Sequence, residues 1–145
     1  MYQERKRCAA IIHDEPIFAA TMAKALGALD FLVHVVVDPH AAIARIEQDP
    51  PDIVCVSLNL PRDSGYDLCE QIRKNPELRH VRILVMSDRH SPDVIAHAEE
   101  AGANAFLPRP FKLDLLVSYV TSILELPQRP RSGPLRHLDE GVILE

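Results

Sequence analysis

The sequence predicts an α/β fold, a doubly wound parallel sheet of five strands with helices on both faces. Short apolar runs alternate with helical patterns five times along the chain. The runs are apolar at consecutive positions, which is typical of strands that are covered on both faces. Parallel strands need crossover connections, and the intervening helices supply them.

The first two strand–helix units occupy the first third of the chain. A short apolar run at 8–12 predicts the first strand, and apolar residues at helical spacing predict a helix over 16–29. The β-branched run at 33–37 predicts the second strand. Pro39 suits the first turn of the next helix, which the Pro-Pro-Asp at 50–52 ends.

The next two units follow the same pattern. Apolar runs at 53–57 and 81–86 predict the third and fourth strands. Between them, 61–65 predicts a loop and 66–74 a helix. The Ser-Pro-Asp at 91–93 provides an N-cap, a first-turn proline and a first-turn acid, so we expect the fourth helix to begin there.

The fifth unit completes the predicted domain. Gly102 predicts the end of the fourth helix, and 104–107 predicts the fifth strand. Apolar residues in helical register predict a last helix over 112–126. Pro108 follows the fifth strand and cannot donate a ladder hydrogen bond, which is tolerated when that strand lies at a sheet edge.

The chain divides into a domain at 1–126 and a tail at 127–145. Proline and glycine break any helix in the tail, and its arginines are followed by acids, so we expect a flexible linker or a peptide ligand rather than a nucleic-acid contact. Its end, at 141–145, is apolar enough to dock.

The composition excludes several function classes. Sixteen basic and 21 acidic residues give a net charge of -5, which argues against broad binding to nucleic acid or anionic lipid. Three cysteines without metal-ligand spacing predict reduced thiols. No signal peptide is evident, and no apolar run approaches the roughly 18 residues that span a bilayer. We therefore expect a cytoplasmic protein that does not insert into membranes.

Polar segments follow four of the predicted strands at their carboxyl ends, where ligands bind in open parallel sheets. They are 13–15, 57–59, 87–88 and 108–110. Their pattern resembles the receiver domain of bacterial two-component response regulators over about residues 6–126. The resemblance implies a flavodoxin-like sheet with the strand order 2-1-3-4-5.

The resemblance rests on motifs that occur in the same order as in the family. A receiver's first strand ends in an acidic pair before Glu-Pro, and its third ends in the phosphate-accepting Asp, four residues before Pro and eight before Gly. Its fourth strand ends in Ser or Thr, and its fifth in Lys-Pro-Phe. The corresponding residues here are His13-Asp14 with Glu15-Pro16, Ser57 with Pro61 and Gly65, Ser87, and Arg109-Pro110-Phe111.

The departures from the family decide the predicted function. A working receiver holds a magnesium ion with several carboxylates, of which only Asp14 is kept here. The imidazole of His13 is a poor ligand for a hard ion, and the hydroxyl of Ser57 cannot form an acyl phosphate. Arg109 does not replace the compact charge of a lysine. We interpret the chain as a pseudo-receiver with a vestigial pocket, no catalytic residue, no cofactor and no bound metal.

Other interpretations of these residues are weaker. His13, Asp14 and Ser57 suggest a hydrolase, but adjacent residues at a strand end project in different directions, so Asp14 is badly placed to orient His13. His90 and His97 are seven residues apart, too far for a helical metal-ligand pair. We expect Arg109 to pair with Asp14 across the vacated pocket.

The predicted function is phosphorylation-independent protein–protein interaction in bacterial signal transduction, cell polarity or motility. By analogy with the family, a protein partner would dock on the fourth helix, fifth strand and fifth helix. The candidate residues are His90, Asp93, His97, Phe106, Lys112 and Tyr119. Phe106 is also expected in the core. A second copy of the chain is an alternative partner, and no nucleic acid is expected.

Two other functions remain open from the sequence. One is a phosphate-switched regulator whose acceptor has moved to Asp14 or Asp63. The other is a sensor of a small ligand or anion that uses Arg109, Ser57 and Ser87.

Overall fold

A computed structural model describes residues 6–125, 135–138 and 141–144 of the chain. Its five parallel strands are β1 (Cys8–Ile12), β2 (Leu32–Val36), β3 (Ile53–Ser57), β4 (Arg82–Ser87) and β5 (Ala105–Pro108). They pair in the order β2-β1-β3-β4-β5. The predicted fold class and strand order are confirmed.

Five helices connect the strands and lie where the sequence predicts them, to within a few residues. They are α1 (Pro16–Gly27), α2 (Pro39–Gln48), α3 (Ser64–Lys74), α4 (Pro92–Ala101) and α5 (Leu113–Glu125). The Ser91 hydroxyl accepts the Val94 N–H at the start of α4, as the sequence predicts. Gly102 ends this helix with φ 114°, a left-handed conformation that favours glycine.

Apolar side chains cover both faces of the sheet. One core layer packs under α2, α3 and α4, and the other packs under α1 and α5. Cys8, Cys55 and Cys69 are buried and form no disulfide among the described residues, and burial raises the pKa of the Cys55 thiol to about 12. Because the thiolate is the reactive form, burial disfavours reaction at Cys55 in the folded protein.

Two candidate docking residues belong to this core. Phe106 is buried in the layer under α2–α4, as expected, and Tyr119 is buried in the layer under α1 and α5. The assignment of Tyr119 to the contact surface is therefore wrong, and Phe106 can support the docking face only from within the core. For Tyr119 the reason is helix geometry: it lies three residues after buried Leu116 and four before buried Ile123, on the inward face of α5.

Two further strands extend the sheet beyond β5. They are β6 (Leu135–Leu138) and β7 (Gly141–Leu144), an antiparallel pair that we call the β6–β7 ribbon. β7 also pairs antiparallel with β5, so the complete order is β2-β1-β3-β4-β5-β7-β6. The sequence predicted a flexible linker or a peptide ligand over 127–145 whose apolar end could dock, and it did not predict these two strands. Residues 126–134, 139–140 and 145 lie outside the described residues.

The ribbon changes the explanation for Pro108. β5 is paired with β7 at Ala105 and Phe106, so it is not a free edge, and Pro108 itself lies in register with Ser87 of β4. The Arg109 N–H donates to the Ser87 carbonyl at 2.8 Å. This neighbouring donor satisfies the carbonyl that lies in register with the proline, which lacks an N–H of its own.

Among the described residues, no helix combines the length and the apolar character that crossing a membrane requires.

Candidate functional site

The carboxyl ends of β1, β3, β4 and β5 bring the predicted pocket residues to one edge of the sheet. These residues are His13, Asp14, Ser57, Ser87 and Arg109, and we call them the strand-end pocket. His13, Ser57 and Ser87 are fully buried. Polar side chains are seldom fully buried unless they have hydrogen-bond partners. Their hydrogen bonds therefore define what the pocket can do.

Ser57 ends β3, and its hydroxyl acts both as a donor and as an acceptor. The hydroxyl donates to Asp14 Oδ1 at 3.0 Å and accepts the Asn59 N–H at 3.1 Å. A hydroxyl has one hydrogen to donate, and here it goes to a carboxylate, which gives a charge-assisted bond. The buried Ser57 hydroxyl therefore fixes the position of the Asp14 carboxylate.

Gly65 is required by the close approach of α3 to the end of β3. A Cβ built on Gly65 would lie 2.8 Å from the Ser57 carbonyl oxygen and 3.2 Å from the Leu58 side chain. Both groups are buried, and a backbone carbonyl cannot rotate away as a flexible side chain can. This contact explains why a glycine stands eight residues after Ser57.

Arg109 follows β5, and its partners differ from the predicted one. Its Nη2 donates to the Glu15 carboxylate, and its Nε lies 3.5 Å from Asp88 Oδ1. Its guanidinium carbon stands 5.2 Å from the centre of the Phe18 ring, a cation–π contact. The predicted Arg109–Asp14 pair is therefore wrong.

The physical reason is competition for each acid. Asp14 already accepts the Ser57 hydroxyl, whereas Glu15 has a longer side chain that reaches Arg109. Asp88 is held in turn by the Asn59 amide nitrogen at 2.7 Å, which ties the loop after β3 to the loop after β4. Glu15, Asn59 and Asp88 lie in the predicted loop segments. Their spacing in the sequence did not show that Glu15 and Asp88 contact Arg109, or that Asn59 donates to Asp88.

Ser87 has a local role at the end of β4. Its hydroxyl accepts the Arg89 N–H at 3.0 Å, and its carbonyl accepts the Arg109 N–H. These contacts shape the loop after β4 and attach it to the end of β5. The Arg109–Pro110 peptide bond is cis.

His13 is buried beneath the loop that follows β1. Its Nδ1 accepts the Glu15 N–H at 3.0 Å, so this nitrogen carries no proton and the neutral ring is protonated at Nε2. The ring centre lies 5.2 Å from that of Phe18. Burial lowers the pKa of His13, the Asp14 carboxylate opposes this shift, and Arg109 reinforces it.

These contacts do not form a nucleophile with its base. The Ser57 hydroxyl donates its hydrogen to Asp14 and not to His13. The Nδ1 of His13 lies 3.3 Å from Asp14 Oδ1, but this nitrogen is occupied as an acceptor. A serine nucleophile needs the reverse arrangement, with the hydroxyl on the imidazole and the carboxylate behind it.

Comparison with known families identifies the family to which the chain belongs. Residues 9–121 match the model of the response regulator receiver domain. The chain belongs to the response regulator receiver domain family. The described pocket is thus the receiver's strand-end site.

The receiver is similar in sequence to several bacterial response regulators. It is 27% identical to Response regulator MprA of Mycolicibacterium vanbaalenii over 114 residues, 79% of this chain and 48% of that protein. It is 27% identical to Response regulator MprA of Mycobacterium sp. strain KMS over 124 residues, 86% of this chain and 53% of that protein. The chain spans about half the length of these curated relatives.

Solved structures show the same fold. The chemotaxis response regulator CheY4 of Vibrio cholerae has a TM-score of 0.77 at 18% identity, covering 82% of this chain and 99% of that one. A response regulator from Thermotoga maritima has a TM-score of 0.76 at 22% identity, covering 84% and 100%. At these identities the likeness concerns the fold alone.

The receiver's strand-end residues do not fit a magnesium ion. Ligand atoms of His13, Asp14 and Glu15 lie within 4.8 Å of one another. However, the His13 nitrogen already accepts a backbone N–H, and the Glu15 carboxylate is paired with Arg109. Magnesium requires oxygen ligands in near-octahedral geometry. The Asp14 carboxylate in turn accepts the Ser57 hydroxyl and lies 3.3 Å from the His13 ring nitrogen.

The remaining candidate docking residues lie on the surface. His90, Asp93 and His97 are exposed on α4 or just before it, and Lys112 is exposed just before α5. The His97 ring stacks on Tyr66 of α3, with ring centres 3.8 Å apart and planes 12° apart. This stacking fixes the position of His97 and presents its outer face to solvent.

Proposed function

We propose that this receiver is a pseudo-receiver, a phosphorylation-independent module that docks a protein partner in bacterial signalling. The observation that carries the proposal is the hydrogen bond from Ser57 to Asp14 at 3.0 Å. The end of β3 presents a hydroxyl whose only hydrogen is committed, where the family resemblance places an acceptor carboxylate. A hydroxyl cannot form the acyl phosphate on which an aspartyl switch depends.

The charges around the strand-end pocket support the same conclusion. Arg109 lies between Glu15 and Asp88, so its charge is already matched by two carboxylates. His13 Nδ1 accepts the Glu15 N–H, and burial lowers the pKa of this ring, so both favour its neutral form. The donors do not fit magnesium, and the proposal includes no catalytic step by this chain.

The docking surface in this proposal is the face formed by α4, β5 and α5. Its exposed polar residues include His90, Asp93, His97 and Lys112. Buried Phe106 of β5 fills the core beneath α4, which favours one fixed arrangement of this face. A surface held in one conformation suits constitutive docking. Signal transduction, cell polarity and motility are the processes we propose for it.

A phosphorylation assay tests this proposal. The full chain is incubated with acetyl phosphate and magnesium chloride, and its intact mass is measured. We expect no mass gain of a phosphoryl group. A stoichiometric gain would contradict the proposal, and peptide mapping to Asp14 or Asp63 would support a relocated acceptor instead. The side chain of Asp63 lies outside the described part of the chain.

A binding assay tests the docking face. Once a partner has been captured from the native host, its affinity is measured for the double variant His97→Ala/Lys112→Ala and for Ser57→Ala. We expect the double variant to weaken binding and Ser57→Ala to leave it nearly unchanged. The reverse result, with both variants folded by circular dichroism, would move the working site to the strand-end pocket.

The small-anion alternative has one observation in its favour. Arg109 Nη1 and His13 Nε2 are buried without a hydrogen-bond partner among the described residues. Three carboxylates at the same edge, those of Asp14, Glu15 and Asp88, oppose an anion there. Thermal unfolding with added phosphate or sulfate distinguishes the two functions: we expect no specific rise in Tm, and a saturable rise would favour the sensor.

A further inference from the structure

The β5 edge of the parallel sheet is covered by a strand of the same chain. β7 pairs with β5 through Ala105↔Ile143 and Phe106↔Val142. β6 pairs with β7 over four residue pairs, from Leu135↔Leu144 to Leu138↔Gly141. The ribbon thus adds two antiparallel strands to a sheet whose other pairs are all parallel.

The direction of the backbone groups explains why the β5 edge accepts a strand. The Asn104 N–H points toward β4 and donates to the Ile83 carbonyl of that strand at 2.8 Å. Successive N–H groups along a strand point to opposite sides, so the N–H and C=O of Ala105 face away from β4 and toward β7. Without β7, these groups would be an open template for an extended chain.

The sequence of β7 indicates what this edge accepts. The strand reads Gly-Val-Ile-Leu, an uncharged segment with two β-branched residues. Strand addition takes its affinity from main-chain hydrogen bonds and its selectivity from the alternating side chains. A matching partner is therefore an extended apolar segment that runs antiparallel to β5.

The position of this edge connects it to the docking face. β5 is the strand between α4 and α5 in the chain, and Phe106 pairs with Val85 on one side and with Val142 on the other. A strand on the β5 edge therefore lies at the α4–β5–α5 face. A strand that is paired with the β5 edge therefore prevents a partner from pairing with the same backbone groups.

We propose that the β5 edge is a strand-addition site, that the β6–β7 ribbon occupies it in the free protein, and that a protein partner with an extended apolar segment replaces the ribbon there. The replacement by a partner rests on the docking function proposed above. The occupation by the ribbon does not, because it follows from the strand pairing alone.

A peptide-binding experiment with the full chain tests the proposal. The probe is a fluorescent synthetic peptide with the sequence of residues 135–145. In Ile143→Pro the ribbon loses the N–H that faces Ala105, and the pyrrolidine ring obstructs the pairing. Ile143→Val is the matched control, because it keeps the N–H and the β-branched side chain. We expect the peptide to bind Ile143→Pro roughly tenfold or more tightly than it binds the wild type or Ile143→Val.

Amide exchange at Ala105 gives a second measurement that does not depend on peptide affinity. We expect slow exchange of this N–H in the wild type and in Ile143→Val, faster exchange in Ile143→Pro, and slow exchange again when the peptide is added. A peptide that carries proline at the position of Ile143 should not restore protection. Fast Ala105 exchange in the wild type, or equal peptide binding by all three proteins, would overturn the proposal.

The oligomeric state provides the remaining test of occupation within one chain. Light scattering should give a monomer for the wild type. A dimer that dissociates in Ile143→Pro would mean that the ribbon pairs with β5 of a second copy, and would overturn the proposal. None of these measurements uses a partner or a phosphoryl donor, so their failure is distinguishable from failure of the proposed function.

Discussion

The Ser57 hydroxyl and the Asp14 carboxylate are joined by a hydrogen bond of 3.0 Å at the strand-end pocket. Ser57→Asp would place a second carboxylate against Asp14 and would remove the hydroxyl that donates to it. We expect Ser57→Asp alone to gain no phosphoryl group from acetyl phosphate and magnesium. The measurement is intact mass, with the triple variant His13→Asp/Ser57→Asp/Arg109→Lys as the control that restores the family pattern. Efficient labelling of the single variant would show that this account of the pocket is wrong.

Gly65 offers a test of the packing behind Ser57. Gly65→Ala places a Cβ 2.8 Å from the Ser57 carbonyl oxygen, so the start of α3 must move. We expect a loss of about 1–3 kcal/mol in the free energy of unfolding, measured by urea denaturation. Gly27→Ala at the end of α1 is the matched control: a Cβ there meets nothing within 4 Å, so we expect a gain of about 0.5–1 kcal/mol. Equal effects of the two substitutions would refute the close-approach argument.

Arg109 should stabilise the fold through its contacts with Glu15, Asp88 and Phe18. Both carboxylates are more than half exposed, so the ion pairs contribute little, and the ring contact adds a comparable amount. We expect Arg109→Ala to lower the free energy of unfolding by about 1–2 kcal/mol. Arg109→Lys should recover only part of this, because lysine lacks the planar fork. Exposed Arg89→Ala is the control, and a loss as large there as at Arg109 would contradict the assignment.

His13 predicts a pH dependence of stability. Burial lowers its folded-state pKa below the ordinary value of 6.5, and Arg109 lowers it further. The nearby carboxylates of Asp14, Glu15 and Asp88 oppose this shift without reversing it. Between these two pKa values the unfolded chain binds more protons than the folded chain, so stability falls as the pH falls through this window. We expect the wild type to lose more stability than His13→Asn between about pH 8 and about pH 5. Asn keeps an acceptor for the Glu15 N–H but does not titrate. Parallel urea-denaturation profiles of the two proteins would exclude a neutral, buried His13.

The sequence was sufficient to predict the parallel sheet and the meeting of the pocket residues. Both follow from periodicity and from the rule that parallel strands end at one edge, which do not depend on side-chain detail. The partner of Arg109 was missed because Asp14 and Glu15 are adjacent in sequence, and only their geometry decides which acid reaches the guanidinium.

Two other features show where pattern reasoning falls short. Tyr119 shares the inward face of α5 with Leu116 and Ile123, a signal that was visible in the spacing but was outweighed by analogy with the family. The β6–β7 ribbon consists of two four-residue strands in a segment rich in proline and arginine. Strands this short carry too few residues for a periodic pattern, and their pairing depends on the distant edge of β5.

The central claim is that this receiver has lost its response to a phosphoryl group, and beryllofluoride with magnesium tests it most directly. The measurement is a titration of ¹⁵N-labelled protein followed by backbone amide shifts at Ser57, Ser87 and Arg109. We expect these shifts to match those of a control with magnesium and fluoride alone, because Ser57 at the end of β3 offers a hydroxyl committed to Asp14, and the neighbouring His13 and Glu15 groups are already engaged. Saturable shifts at these three residues would contradict the account and would identify a working phosphorylation site.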